Sequence, residues 1–309
     1  MNKIAVYTKA CFAMLFWSLT FVWIKVALMH YRPIEIVFLR LVLASFLLFL
    51  VIWISGFKER IRGRDLWQLL LVAFCEPFLY FVGEANGMQY VSPTLGSLII
   101  STIPIVAAIG AWFFLKEQIT IYIVIGLIIS FSGVAILSFE SPDLRATIKG
   151  ILLLLVAVFS GMFYSITVRG LTHKYSTLTI VAWQSLFGML FFLPFFLFMH
   201  AEDFVHKIHS AKGLITISAM SIFASVGAFM LYTGVIRDLG VIKSNVFTNL
   251  IPVFTVVLAY FILGQKVSLI TVFGLGLTIC GLMISHYKGF KLIRKNKTVI
   301  TGEDGCLYG

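Results

Sequence analysis

Four ionisable side chains interrupt long apolar runs in the first half of the chain: Lys25, Arg40, Glu76 and Glu84. Their formal charges cancel. A charge facing lipid is disfavoured by about 2.5–3.5 kcal/mol on insertion scales, so each should face a bundle interior or a watery cavity. Glu84, inside "YFVGEANGMQY" (80–90), suits a proton acceptor or a counter-charge for a cationic group. Glu76 precedes Pro77, whose ring disrupts the helical bond to the Ala73 carbonyl. A kinked polar point there reads as a cavity wall or as a purely structural bend. Lys25 and Arg40 have a plainer reading: snorkelling to the outer interface, or a structural pair with Glu84.

A second constellation occurs twice. Ser97, Ser101 and Pro104 in one run answer to Asn245, Asn249 and Pro252 in another. In each, two small polar residues sit one turn apart, three residues before a proline. The proline should leave the carbonyl of Ile100 or Thr248 unpaired, and broken backbone at membrane depth is tolerated only where protein or water satisfies it. Such positions suit a binding pocket; the alternative is hydrogen bonding between neighbouring helices. Trp17 and Tyr80 share helices with the charged residues, and an aromatic cage with a carboxylate suits an amine. Tyr164, Trp183 and Tyr232 are further aromatics, of a type more often used for packing or interfacial belts.

These residues need long helices to place them. The chain is 60% apolar and 12% charged, with a mean hydropathy of +1.02. A water-soluble domain averages about a quarter charged. Crossing a hydrocarbon core takes about 20 residues of helix. Runs of that size fall near 10–29, 34–54, 66–87, 95–115, 119–139, 150–169, 177–199, 213–235, 244–263 and 267–287. The sequence therefore predicts an all-α polytopic membrane protein with ten spans. Short joints such as "HYRP" (30–33), "KEQ" (116–118) and "GQK" (264–266) make neighbouring spans antiparallel. Lys and Arg concentrate on the side receiving the N-terminus, "KERIRGR" (58–64) and the tail after residue 287. The positive-inside rule then puts both termini in the cytoplasm. The first run shows no small-residue cleavage site and is read as a retained helix. Cys11, Cys75, Cys280 and Cys306 lack C-x-x-C spacing and are read as small hydrophobes rather than metal ligands.

"STIPIVAAIGAWFFLKEQIT" (101–120) returns as "NLIPVFTVVLAYFILGQKVS" (249–268), with Pro104/Pro252, Gly126/Gly274 and Gly133/Gly281 in register. Earlier pieces align loosely, "WSLTFVWIK" (17–25) with "FSGMFYSIT" (159–167) and "FLRL" (38–41) with "AWQS" (182–185). Units of five spans, an odd number, must insert with opposite orientation, an arrangement typical of transporters with midplane sites. Boundaries are expected at 1–145 and 146–287, followed by a basic tail, 288–309. Gly126, Gly133, Gly274, Gly276 and Gly281 read as close-packing or dimer contacts.

On these motifs, together with "GEANGMQYVSPTLGSLI" and "IGLIISFSGVAIL", the chain resembles the EamA-type members of the drug/metabolite transporter superfamily. The resemblance implies two inverted five-helix repeats around a central cavity that moves small metabolites. Two positions depart from the pattern: Ser18 replaces the usual glycine after Trp17, and Gln265 replaces an acidic residue that the first repeat keeps as Glu117.

The expected function is a secondary transporter, exporter or exchanger, of a small polar metabolite across the cell membrane by alternating access, with a proton or counter-substrate as partner. Uptake of an amine or other small cation is the runner-up. A membrane enzyme is disfavoured because H-E-x-x-H, G-x-S-x-G and G-x-x-x-x-G-K-[ST] are missing. His30, His173, His200, His206, His209 and His286 all fall at span ends or in loops, and His206 and His209 flank Lys207 in what reads as a wet loop. No cofactor, metal or nucleic acid is expected; lipid contact is, and the chain is read as a monomer or homodimer.

Overall fold

The computed structural model describes residues 3–57, 59–107, 110, 121–139, 144–199 and 201–286. Every regular element among them is helical. The first half contains α1 (Lys3–Leu28), α2 (Pro33–Ser55), α3 (Gly63–Ala73), α4 (Tyr80–Gly87), α5 (Pro93–Ile100) and α6 (Ile121–Phe139). The second contains α7 (Leu144–Thr172), α8 (Thr177–Met199), the short α9 (Ala201–His206), α10 (Ala211–Ala219), α11 (Phe229–Leu239), α12 (Val241–Val246), α13 (Leu250–Leu263) and α14 (Leu269–His286). A wide π-type segment, Phe74–Leu79, joins α3 to α4, and another, Met220–Ala228, joins α10 to α11.

Among the described residues, six stretches are long and apolar enough to cross a bilayer: Ile4–Leu28, Pro33–Ser55, Gly63–Gly87, Thr147–Thr172, Thr177–Met199 and Ala211–Leu239. Pro93–Ala107, Phe247–Leu263 and Leu269–Gly281 are shorter apolar helices. All fall on runs read from the sequence. The "KEQ" joint, Glu117 and the basic tail lie outside the described residues. Large apolar side chains such as Trp53, Trp67, Phe198 and Phe261 stand exposed on the outer surface, which suits a hydrocarbon surround rather than water.

Packing partners come in sets that exchange when the two halves exchange. α2 packs on α8 and α6 on α14. α1 lies against the α10–α11 stretch and α13, just as α7 lies against the α3–α4 stretch and α5. Two glycine contacts set the tightest approaches. A Cβ at Gly83 would lie 2.5 Å from the Leu153 carbonyl, so α4 and α7 touch backbone to backbone there. A Cβ at Gly133 would lie 2.5 Å from the Gly274 carbonyl and 2.4 Å from the Thr278 hydroxyl, bringing α6 onto α14. Gly276, read with these as a packing residue, has open space instead.

Helices break close to Pro77, Pro104 and Pro252, whereas α8 runs unbroken through Pro194. Glu76 leaves helical geometry altogether (φ −143°, ψ 115°) just before Pro77. α5 ends at Ile100, and helix resumes over 103–107 after a turn at Ser101 and Thr102. A single 3₁₀ turn, Phe247–Asn249, separates α12 from α13. Kinks of this kind arise at proline and at π-bulges, because each removes or widens a rung of the backbone ladder.

Candidate functional site

Among the described residues the broken helices surround a central cavity with about 40 Å³ of room for water-sized molecules. α1 supplies Trp17, Thr20 and Phe21; α2 supplies Arg40; the π segment and α4 supply Glu76, Tyr80, Phe81 and Glu84. The second half contributes Gly161, Tyr164, Ser165, Phe229, Tyr232, Asn245, Thr248 and Ile251, and Ile100 and Ile103 complete the wall. Ile100 and Thr248, the two residues whose carbonyls the prolines should free, thus both border the hollow.

Arg40 is the most consequential side chain here. It is 2% exposed, so it does not snorkel to an interface. The guanidinium's Nε donates to the Ser225 hydroxyl at 2.6 Å, and its carbon lies 4.4 Å from the centre of the Phe81 ring. Glu84 (4% exposed) and Glu76 (7%) interact with it electrostatically. Yet among the described residues no carboxylate oxygen comes within 4.0 Å of an Arg40 nitrogen. The structural Arg40–Glu84 ion pair is therefore corrected to charges facing each other across a gap. Tyr80, one turn before Glu84, lines the same hollow. An uncompensated buried ion is strongly disfavoured, so a guanidinium and two carboxylates spaced this way offer polar anchorage to whatever occupies the hollow.

Trp17 stands edge-on to Tyr232 (4.8 Å between centroids) and to Phe229 (5.4 Å). Tyr232 donates to Asn245 Oδ1 at 2.9 Å, while Asn245 Nδ2 donates to the Val241 carbonyl at 2.9 Å. Asn245 thereby orients the Tyr232 phenol at the cavity edge. Tyr232 lies 148 positions after Glu84, the offset that aligns Pro104 with Pro252. Where the first half presents a carboxylate, the second presents a phenol.

Six of the ten residues singled out from the sequence line the cavity: Trp17, Arg40, Glu76, Tyr80, Glu84 and Asn245. The other four do not. The hydroxyls of Ser97 and Ser101 donate to the carbonyls of Thr94 (2.8 Å) and Leu98 (2.7 Å) in their own helix. This is the local back-bonding that serine favours inside helices, not an inter-helix bond. Asn249 keeps its buried Oδ1 without a hydrogen-bond partner among the described residues and lies outside the cavity lining. Lys25 is half-buried on α1, away from the hollow, as a snorkelling side chain would be. The Ser18 departure has a structural consequence: its hydroxyl donates to Met14 O (2.7 Å) and, across the halves, to Ile251 O (3.1 Å).

Sequence reasoning missed Ser225, Phe81, Phe229 and Thr20, small or apolar residues that only tertiary placement brings to the charges. It also passed over Glu35, which is 1% exposed in the first turn of α2. His209, read as part of a wet loop, is indeed exposed there and also stacks on Tyr31 (centroids 6.1 Å apart, 15° between planes) within hydrogen-bond distance of its hydroxyl.

The profile of the EamA-like transporter family matches residues 5–139 and again residues 148–287. An uncharacterized transporter of Archaeoglobus fulgidus is 30% identical over 270 residues, covering 87% of this chain and 94% of its own. The uncharacterized transporter YetK of Bacillus subtilis is 28% identical, covering 81% of this chain and 77% of its own. A solved crystal structure superposes with a TM-score of 0.68 at 13% identity, over 91% of this chain and 98% of that one, a likeness of fold.

Proposed function

This chain belongs to the EamA-like transporter family, and we propose that it is a secondary transporter moving a small polar metabolite by alternating access through the Arg40–Glu76–Glu84 cavity. It is an integral multi-pass membrane protein with a small molecule as its substrate. In this reading residues 1–145 and 146–287 are inverted repeats of five spans in the cell membrane, with both termini cytoplasmic. The exchanging packing partners and the doubled family match support it. Net movement is outward, by export or exchange.

One observation carries the reading: three buried ionisable side chains converge on one hollow between the halves without a direct ion pair. A packed structural core would close such charges onto one another. Fully ionised, the group of one guanidinium and two carboxylates has a net charge of −1. That excess favours a proton or a cationic group on the substrate, and the aromatic faces of Trp17 and Phe229 suit the latter. The same excess favours an amine or other small cation, taken up rather than exported, as the second reading.

A panel of amino acids, amines, sugars and nucleosides screened by thermal shift on purified protein should yield a stabilising ligand, since binding to the native state raises the melting temperature. Its flux into proteoliposomes under imposed pH gradients then tests the coupling. A ligand that stabilises the protein but whose flux requires turnover to another chemical species would overturn the carrier reading.

A further inference from the structure

Two polar clusters, one at each end of α2, tie the halves together. At the Pro33 end, the Tyr31 hydroxyl meets His209 Nδ1 at 3.3 Å. Lys207 Nζ lies 3.4 Å from the buried Glu35 carboxylate and 4.7 Å from the centre of the Tyr31 ring. Glu35 also accepts from the Arg32 amide at 2.9 Å, and Arg32 pairs with Asp203 at 3.0 Å. These contacts join the α1–α2 connection to the segment between α8 and α10.

At the Ser55 end, the Tyr175 hydroxyl donates to Asp65 Oδ2 at 2.8 Å and accepts from the Arg62 amide at 3.1 Å. Lys174 Nζ holds the other Asp65 oxygen at 2.6 Å. Glu59 Oε2 accepts from both the amide and the hydroxyl of Ser176, each at 3.0 Å. Here the α7–α8 connection is joined to the segment between α2 and α3.

The clusters are counterparts. Tyr175 follows Tyr31 by 144 positions, and His209 follows Asp65 by the same 144. That offset also aligns "FLRL" (38–41) with "AWQS" (182–185). Each cluster therefore has a tyrosine from the connection before the second helix of one half, bonded to a polar side chain from the segment after the second helix of the other. Tyr31 and Tyr175 are both buried, 3% and 8% exposed. The Tyr175 hydroxyl is buried beside Asp65, where it is costly to leave unmatched, whereas the His209 that meets Tyr31 is exposed.

We propose that the Tyr31–His209 and Tyr175–Asp65 clusters are a matched pair of latches, one closing each end of the cavity, and that releasing either one alone selects the face to which the cavity opens. This rests on the transporter reading above. In the structure the contacts of both latches are made, and Arg40, Glu76 and Glu84 are all buried. The latches differ in composition. One uses an imidazole and a carboxylate–lysine contact at 3.4 Å, the other a carboxylate held at 2.6 and 2.8 Å. The Tyr31 latch is the weaker of the two.

The test reads accessibility and needs no substrate. Cys11, Cys75, Cys280 and Cys306 are replaced by alanine, and Ser165→Cys places a reporter thiol in the cavity wall. A membrane-impermeant maleimide is then applied to right-side-out and to inverted membrane vesicles. Tyr31→Phe, which removes one hydroxyl, should raise labelling roughly five-fold from the face bearing Tyr31 and leave the opposite face unchanged. Tyr175→Phe should do the reverse, and Asp65→Asn should agree with Tyr175→Phe. Labelling that rises from the same face in both phenylalanine variants, or changes in none of the three, overturns the latches. Mirror-image labelling without solute flux under any gradient upholds the latches and removes the transporter reading; flux with face-independent labelling removes the latches alone.

Discussion

The Arg40 guanidinium and the Ser225 hydroxyl, from opposite halves of the chain, meet at 2.6 Å behind the cavity. This bond and the Phe81 ring hold the guanidinium at the wall of the cavity that Glu76 and Glu84 also line. Ser225 is a positioning residue.

Ser225→Ala removes a hydrogen bond to a charged group, an interaction of about 1.5–3 kcal/mol. Transport efficiency should fall about ten-fold or more, chiefly through a raised KM, while Ser225→Thr restores most of it. Flux measured in proteoliposomes against substrate concentration separates the two parameters. An unchanged KM in the alanine variant would show that Arg40 holds its pose without Ser225.

Glu84→Gln keeps the shape of the side chain but removes its charge. Flux should be abolished or lose its dependence on the pH gradient, while membrane insertion and detergent-solubilised yield stay normal. Unchanged and still pH-dependent flux would remove Glu84 from any coupling role.

Asn245→Ala frees the Tyr232 phenol that Asn245 now orients, and should lower flux several-fold. Ser97→Ala, by contrast, deletes only a back-bond within its own helix and should leave flux within about two-fold, as a lost local bond of this kind contributes little. Parallel assays on the two variants discriminate a cavity residue from a helix-internal one; equal losses would contradict the assignment.

At Gly188 an added Cβ would lie 2.3 Å from Pro77 Cγ, part of a ring that cannot swing aside. Gly188→Ala should therefore destabilise the protein by about 1–3 kcal/mol through overpacking. Gly276→Ala, facing open space, should be neutral. Thermal unfolding in detergent, followed by fluorescence, distinguishes them. A Gly188→Ala protein with an unaltered midpoint would mean that α8 and the Pro77 segment can slide apart freely.

Much of the fold could be read from the chain because apolar run length and proline placement are local properties. Runs near 10–29 and 34–54 correspond to α1 and α2, and the breaks lie at 101–102 before Pro104 and at 247–249 before Pro252. The charged members of the site were also legible, since Arg40, Glu76 and Glu84 are expensive in lipid wherever they point. Ser97 and Ser101 misled because periodicity assigns a face but not a partner, and their hydroxyls found carbonyls on their own helix. Ser225 and Phe229 could not be found that way. Their types are ordinary in an apolar helix, and only the crossing of α2 with the Met220–Ala228 segment brings Ser225 to the guanidinium.

The non-helical geometry at Glu76 splits one membrane-long rod into two levers sharing a fulcrum. The longer arm, Gly63–Ala73, carries Asp65 near its tip; the shorter, Tyr80–Gly87, carries Glu84. In the transport cycle proposed above, release of Asp65 by Lys174 and Tyr175 would turn the first arm about Glu76, itself a residue of the cavity wall.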